Sequence, residues 1–245
     1  MNDKNTRTPY LSVVIPAYNE ENRIVPTLDR IREYLGKQDY SSDVIVVDDG
    51  STDRTASLVK ERSGSWPKLS LIRNGRNYGK GYSVKNGFEH ATGEILFFSD
   101  ADLSTPIEEI DKLLSAIRSG AAVAIGSRAL KHSDVRIHQP WFRELMGKTF
   151  NRMVRCLVVP GIHDTQCGFK AFTRKAAESV SARQRLCGFS FDVEMLFIAR
   201  RMGFLIREVP VVWMNKLPST VRPITDPIAM FRDLLRIRWI QRKKM

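Results

Sequence analysis

Asp100 and Asp102 stand one residue apart at the end of an apolar run, in the stretch ILFFSDADL at 95–103. Paired carboxylates offer hard oxygen ligands suited to Mg²⁺ or Mn²⁺, and such an ion in turn holds a diphosphate. If the backbone stays extended, side-chain alternation sends both acids the same way. A strand followed by a plain polar turn is the alternative. Asp48, Asp49 and Asp53 form a second acidic group in VVDDGSTDRT at 46–55, a composition that also suits a turn and a helix N-cap. The basic, Gly-rich NGRNYGKG at 74–81, with Lys80, is composed like a phosphate cradle but has neither GxxxxGK[ST] nor GxGxxG spacing.

Each acidic group needs an element to carry it. The runs 11–16, 44–47, 69–73 and 95–99 are short and apolar, as buried parallel strands are. Between them, 22–35 has helical spacing at Ile24, Leu28, Ile31 and Leu35, a helix reaches to about 62, and 82–90 reads as a third helix. This alternation predicts a doubly wound, mostly parallel α/β sheet with helices on both faces. In open sheets of that kind, ligands sit at the carboxyl ends of the strands. Further on, the pattern predicts a helix over 107–119, a strand over 121–125, a polar loop over 129–139, a loop into a strand over 161–172, a helix over 189–202 and a strand over 206–213. The segment 141–158 is apolar and basic together. The segment 226–244 reads as a basic amphipathic helix with Ile228, Phe231, Leu235 and Trp239 at helical spacing. Such a helix lies in a membrane interface, or packs its apolar side on the domain and leaves its charges in water. The neighbouring 141–155 segment favours the membrane.

The chain has 245 residues and a formal net charge of +12. The first 120 residues carry 16 Lys and Arg against 18 Asp and Glu, and the remainder carries 23 against 9. The excess positive charge therefore lies in the second half, where it attracts phosphate of some kind. Cys156, Cys167 and Cys187 form no CxxC pair, which argues against a disulfide scaffold or a zinc site and suits small buried side chains in a reducing compartment. No apolar run is long enough to span a bilayer. The expected layout is a loose tail at 1–9, one domain at 10–224 and a terminal helix at 225–245.

The motifs PAYNEE (16–21), VVDDGSTDRT (46–55), DADLSTP (100–106) and GSR (126–128) occur in order, and as a set they resemble family 2 glycosyltransferases of the GT-A type. RNYGKGYSVKNG (76–87), DTQCGFKAF (164–172) and FDVEMLF (191–197) are most similar to the dolichyl-phosphate or polyprenyl-phosphate members, the glucosyltransferase branch more than the mannosyltransferase branch. The resemblance covers nearly the whole chain. It implies that Pro16, Tyr18, Glu20, Val47, Asp48 or Asp49, Lys80, Asp100 and Ala101 hold a nucleotide sugar, UDP-glucose by preference. A carboxylate at a strand end can accept from a uracil or guanine N–H; a turn-capping aspartate is the other reading of Asp49. It also implies that Asp100 and Asp102 hold Mg²⁺ or Mn²⁺, with Asp102 the principal ligand and Asp100 near the nucleotide sugar, and that Arg128 grips a phosphate with its planar fork. Arg136, Arg143, Asp164, Gln166, Asp192, Glu194 and Arg222 fall on the acceptor side, with structural helix acids as the plainer reading of Asp192 and Glu194.

The implied reaction transfers a hexose, with inversion, to a polyprenyl or dolichyl phosphate at the cytoplasmic membrane face. A phosphate acceptor is already ionised at neutral pH, so no essential base is expected. Two positions depart from the family pattern: Ser104 stands where mannosyltransferases often have Gln, and Thr220 follows Ser219 where the family tends to have Lys, with Arg222 two residues on. A GDP-mannose donor and a glycan hydroxyl acceptor stay open as alternatives. A nucleotidyltransferase would carry a Gly-rich basic loop after its first strand, where this chain has PAYNEE. A basic nucleic-acid-binding module would account for the charge but not for the interleaved apolar helices, and no nucleic acid is expected as a partner.

Overall fold

The computed structural model describes residues 8–137, 149, 151–155, 158–215 and 232–239. The chain alternates β1 (Leu11–Ala17), α1 (Ile24–Leu35), β2 (Ser42–Asp48), α2 (Thr55–Ser65), β3 (Leu69–Arg73), α3 (Lys80–His90) and β4 (Ile95–Ser99). A 3₁₀ turn at Ile107–Glu109 leads into α4 (Ile110–Arg118), followed by β5 (Val123–Ser127), β6 (Asp134–Ile137), β7 (Phe169–Thr173), α5 (Arg174–Ser181), α6 (Phe191–Arg201), β8 (Ile206–Pro210) and β9 (Val212–Met214). Seven strands form one sheet in the order β3-β2-β1-β4-β7-β5-β8, and only β7 runs antiparallel to its neighbours. The strand order reverses between β1 and β4, the point where an open sheet leaves a crevice for a ligand.

Alternation along the strands builds two cores. Val13, Ile15, Val44 and Val46 face α1, α2 and α4, whereas Val14, Ile45 and Val47 face α3, α5 and α6. Burial on both faces is why these strands are continuous apolar runs. Gly87 on α3 lets that helix approach β1: a Cβ there would lie 2.3 Å from Val14. Arg174 ties α5 to the turn before β4 by donating to the carbonyl oxygens of Ala91 and Gly93.

Several expectations need correction. The 129–139 loop contains β6. The run 206–213 breaks at Val211, whose N–H still reaches the Ser127 carbonyl oxygen at 3.3 Å while its own carbonyl accepts from the Asp134 N–H at 3.2 Å, so the chain passes there from one sheet to the other. β8 stays beside β5, and β9 pairs with β6 in a separate two-stranded sheet. α5 was not foreseen; it is short, and Thr173 caps it by accepting from the Ala176 N–H. Cys167 is buried as expected, but Cys187 is exposed: its carbonyl accepts from the Gly81 N–H at 2.7 Å and its thiol lies 3.9 Å from the Arg185 carbonyl oxygen. In the terminal helix, residues 232–239 pack on the domain through Leu234 and Ile237, while Leu235 and Trp239 are 54% and 63% exposed. Of the predicted stripe, Leu235 and Trp239 thus stay exposed, and Ile228 and Phe231 lie outside the described residues.

Candidate functional site

The ends of β1 and β2 are stapled together by short polar side chains. Ser51 Oγ accepts from the Asn19 N–H at 2.9 Å, Thr55 Oγ1 from Glu20 at 2.7 Å, and Asp53 from Glu21 at 3.1 Å. Asn19 returns a bond, accepting from the Thr52 N–H, and tolerates a left-handed φ of 54° as asparagine can. After buried Pro16 and Ala17, this turn leaves Tyr18 40% exposed at the rim. Glu20 pairs with Arg23 at 2.6 Å. Burial raises the Glu20 carboxyl above its ordinary range; Arg23 opposes this, and Asp102 and Asp100 add to it.

Asp48 and Asp49 follow buried Val47, and both are nearly inaccessible. Asp48 accepts from the Ser51 N–H at 3.3 Å and pairs with Arg73 at 3.2 Å. Asp49 accepts from the N–H groups of Tyr78 and Gly79, at 3.1 and 2.7 Å, and from the Asn74 amide at 2.8 Å. Its carboxylate thus fixes the Gly-rich loop rather than capping its own turn. Gly79 sits at φ 101°, and a Cβ there would lie 2.5 Å from the Cys187 carbonyl oxygen. The loop cannot move without disturbing α6's leading segment.

β4 ends at Ser99, so Asp100–Asp102 is a turn and not an extended strand. Alternation therefore does not aim the two acids; the turn does. Asp102 Oδ1 accepts from the Ser104 N–H at 2.8 Å, the Ala101 carbonyl accepts from Thr27 Oγ1 at 2.6 Å, and Leu103 takes a left-handed φ of 47°. Lys80 on α3 reaches Asp100, and Thr27 on α1 holds the Ala101 carbonyl between the two acids, so helices from both faces of the sheet meet this turn. A cavity of about 410 Å³ opens beside Asp102, with Arg23, Thr27, Pro106 and Met214 in its wall. Asp100 forms an ion pair with Lys80. Gly168 is required on its other side, since a Cβ there would fall 2.2 Å from an Asp100 carboxylate oxygen.

Among the described residues no group of three or more His, Cys, Asp or Glu comes together as a metal cage. Two hard carboxylates at the rim nevertheless fit Mg²⁺ or Mn²⁺, which are usually held by one or two carboxylates, with substrate phosphates and water completing the shell.

Beyond the acids, Arg128 is gripped by Asp164 through Nε at 2.6 Å and Nη2 at 2.9 Å, with its N–H donating at 3.0 Å. Its guanidinium stacks 5.4 Å from the Trp213 ring centroid. Burial opposes the Asp164 charge, but Arg128 outweighs it and lowers the carboxyl below its usual range. Glu208 anchors this loop by accepting from the His163 and Asp164 N–H groups. Gln166 donates its N–H to Asp164. Asp192 pairs with Lys170, which also donates to the Cys167 carbonyl at 2.5 Å. Burial raises the Asp192 carboxyl, with Lys170 and Lys80 pulling the other way. Glu194 is buried and accepts from the N–H groups of Arg185 and Leu186. Arg136 pairs with Asp134 on the exposed strand β6. Arg143 and Arg222 lie outside the described residues.

The structure thus gathers Glu20, Lys80, Asp100 and Asp102 at the β1–β4 crevice, and sets Arg128 with Asp164 next to them, within the electrostatic reach of Asp100. Sequence reasoning gave Lys170 no role. The signal was present, however: a lysine inside the apolar strand FKAF must have a buried partner.

The family model for glycosyl transferase family 2 matches residues 12–181. The chain is 35% identical to a dolichyl-phosphate beta-glucosyltransferase of Trichomonas vaginalis, over 93% of this chain and 72% of that protein. It is 36% identical to the Homo sapiens dolichyl-phosphate beta-glucosyltransferase, over 94% and 75%. Glucosyl-3-phosphoglycerate synthase from Mycobacterium tuberculosis, solved with Mg²⁺ and UDP, shares the fold with a TM-score of 0.68 at 21% identity, covering 94% of this chain and 78% of that one. A Pyrobaculum calidifontis mannosyltransferase, solved with GDP-Man and Mn²⁺, aligns with a TM-score of 0.54 at 26% identity, covering 88% of this chain and 59% of that one.

Proposed function

The chain belongs to glycosyl transferase family 2, and from that premise we propose that it transfers glucose from UDP-glucose to a polyprenyl or dolichyl phosphate. The donor choice and the lipid acceptor follow the relatives' activity. The observation that carries the reading is the pair of carboxylates, Asp100 and Asp102, in the turn that leaves β4 at the crevice where the strand order reverses, with Lys80 paired to Asp100.

Asp100 and Asp102 would hold Mg²⁺ or Mn²⁺ there, and the ion's charge would favour departure of the diphosphate. Tyr18, Glu20 and the backbone after Val47 border the place for the base and ribose. An acceptor phosphate oxygen forms the new bond to the anomeric carbon as the bond to UDP breaks, and the electron pair leaves with the β-phosphate. Configuration inverts, and no proton need move. The structure supports a base-free step: Asp192 is already committed to Lys170, and Glu194 to backbone N–H groups. Arg128, fixed by Asp164, presents the remaining edge of a charged fork to phosphate oxygens.

No described helix is long and apolar enough to cross a membrane. Contact with lipid is assigned instead to the terminal helix. Its exposed Leu235 and Trp239 alternate with exposed Arg232, Arg236 and Arg238, a composition that suits an anionic bilayer surface.

The direct test is Asp102→Ala, assayed with UDP-glucose, a short polyprenyl phosphate and Mn²⁺ by following UDP release. Loss of about 100-fold or more in turnover is expected, the scale of removing a group that stabilises leaving-group charge. Unchanged turnover would remove the assigned role.

A further inference from the structure

Behind the rim, three carboxylates and two ammonium groups share one electrostatic neighbourhood. Asp100, Asp102 and Asp192 all act on Lys80, and Asp192 also pairs with Lys170. The two lysines differ in freedom. Lys170 is fully buried in β7, lies 5.3 Å from the Phe98 ring centroid, and is held by Asp192 and the Cys167 carbonyl. Lys80 is a quarter exposed, opens α3, and meets Asp100 with the tip of a flexible stem. A cation at a helix N-terminus opposes the helix dipole, so the surrounding acids must hold it there. They do: the Lys80 ammonium is paired with Asp100 and lies 6.0 Å from the Phe191 ring centroid.

We infer that Lys80 is the resident cation of Asp100, that a divalent ion must displace it, and that the released ammonium turns to the incoming nucleotide diphosphate. The inference rests on the reading of Asp100 as a metal ligand. An ammonium group and a metal ion cannot share the same carboxylate oxygen without strong repulsion. With Lys80 in place, the cluster carries one excess negative charge; a divalent ion alone would reverse its sign. A diphosphate arriving with the metal restores balance and gives Lys80 a new partner. The backbone stays put through this exchange. Gly79 is locked between Asp49, which accepts its N–H, and the Cys187 carbonyl, so only the Lys80 side chain rotates. The exchange makes metal binding depend on nucleotide and keeps the acids paired in its absence.

The test is Mn²⁺ binding, read from the electron paramagnetic resonance of free Mn²⁺, with and without UDP, on the full chain. In the unmodified protein, UDP is expected to tighten Mn²⁺ binding at least tenfold. Lys80→Met should bind Mn²⁺ alone about tenfold more tightly, and should shrink the UDP effect to threefold or less. Lys80→Arg, which keeps the charge, should restore the dependence on UDP. Lys80→Met binding Mn²⁺ alone no more tightly than the unmodified protein would overturn the inference; should Lys80→Met fail to fold, Lys80→Gln takes its place with the same criterion. Asp100→Asn separates the two claims. It should lose Mn²⁺ binding with and without UDP, and retained binding would instead remove the metal reading on which the inference rests.

Discussion

At the ends of β1, β2 and β4, Asp49, Asp53 and Asp102 are held mainly by backbone N–H groups. Around β5, β7 and α6, Asp164 and Asp192 each lie against a cation from another segment. The difference separates two uses of a carboxylate. N–H partners orient an acid while leaving its charge uncancelled, so the rim still attracts an external cation. A buried ion pair cancels the charge and leaves a rigid support. Lys80 belongs to neither class: it neutralises a rim acid, but from a partly exposed position.

The largest test of this contrast is Lys170→Met. Removing the cation strands Asp192 in the core, and losing one partner of a buried pair costs about 3–5 kcal/mol. Urea unfolding should show that loss. The paired change Lys170→Met with Asp192→Leu should recover most of it, because an apolar replacement leaves no stranded charge. A full loss in the double variant would mean that the pair does more than neutralise itself.

Asp164→Asn is the next largest, and it carries a pH signature. The Asp164 carboxyl is lowered in the folded protein, so its contribution is complete above the unfolded value near 3.9. The contribution fades as pH falls through the lower folded value. Asp164→Asn should therefore be destabilised by about 2–4 kcal/mol at pH 7, and by progressively less as pH drops below about 4. A constant difference across that window would break the assignment.

Smaller effects probe the ends of the second half. Trp239→Ser should reduce sedimentation with anionic vesicles several-fold while leaving the unfolding midpoint nearly unchanged, since the side chain is 63% exposed. Leu234→Ser should do the reverse, because Leu234 is buried in the domain core. Thr173→Ala, which removes the cap of α5, should cost about 1 kcal/mol in unfolding free energy.

The strands and their acidic ends were legible because each buried strand is a short apolar run and each turn after it needs polar atoms. β3 and β4 were read to the residue for that reason. β6 was not, because DVRI is a polar edge segment whose partner, β9, lies far along the chain. The break at Val211 depends equally on that partner. Along the terminal helix Leu234 and Leu235 are chemically equivalent, and only the core cluster that receives Leu234 tells the packed face from the exposed one.

The chain alone determined which residues form the sheet, where the acids cluster and which half carries the positive charge, since these follow from local composition and period. The tertiary structure decided what each charge does. Asp49 became the clamp of a distant loop, Asp164 the support of Arg128, and Lys170 the buried counter-ion of Asp192. The reason is physical: a carboxylate's role is set by whichever donor or cation lies within about 3 Å, and here those partners come from segments some 20 to 40 residues away.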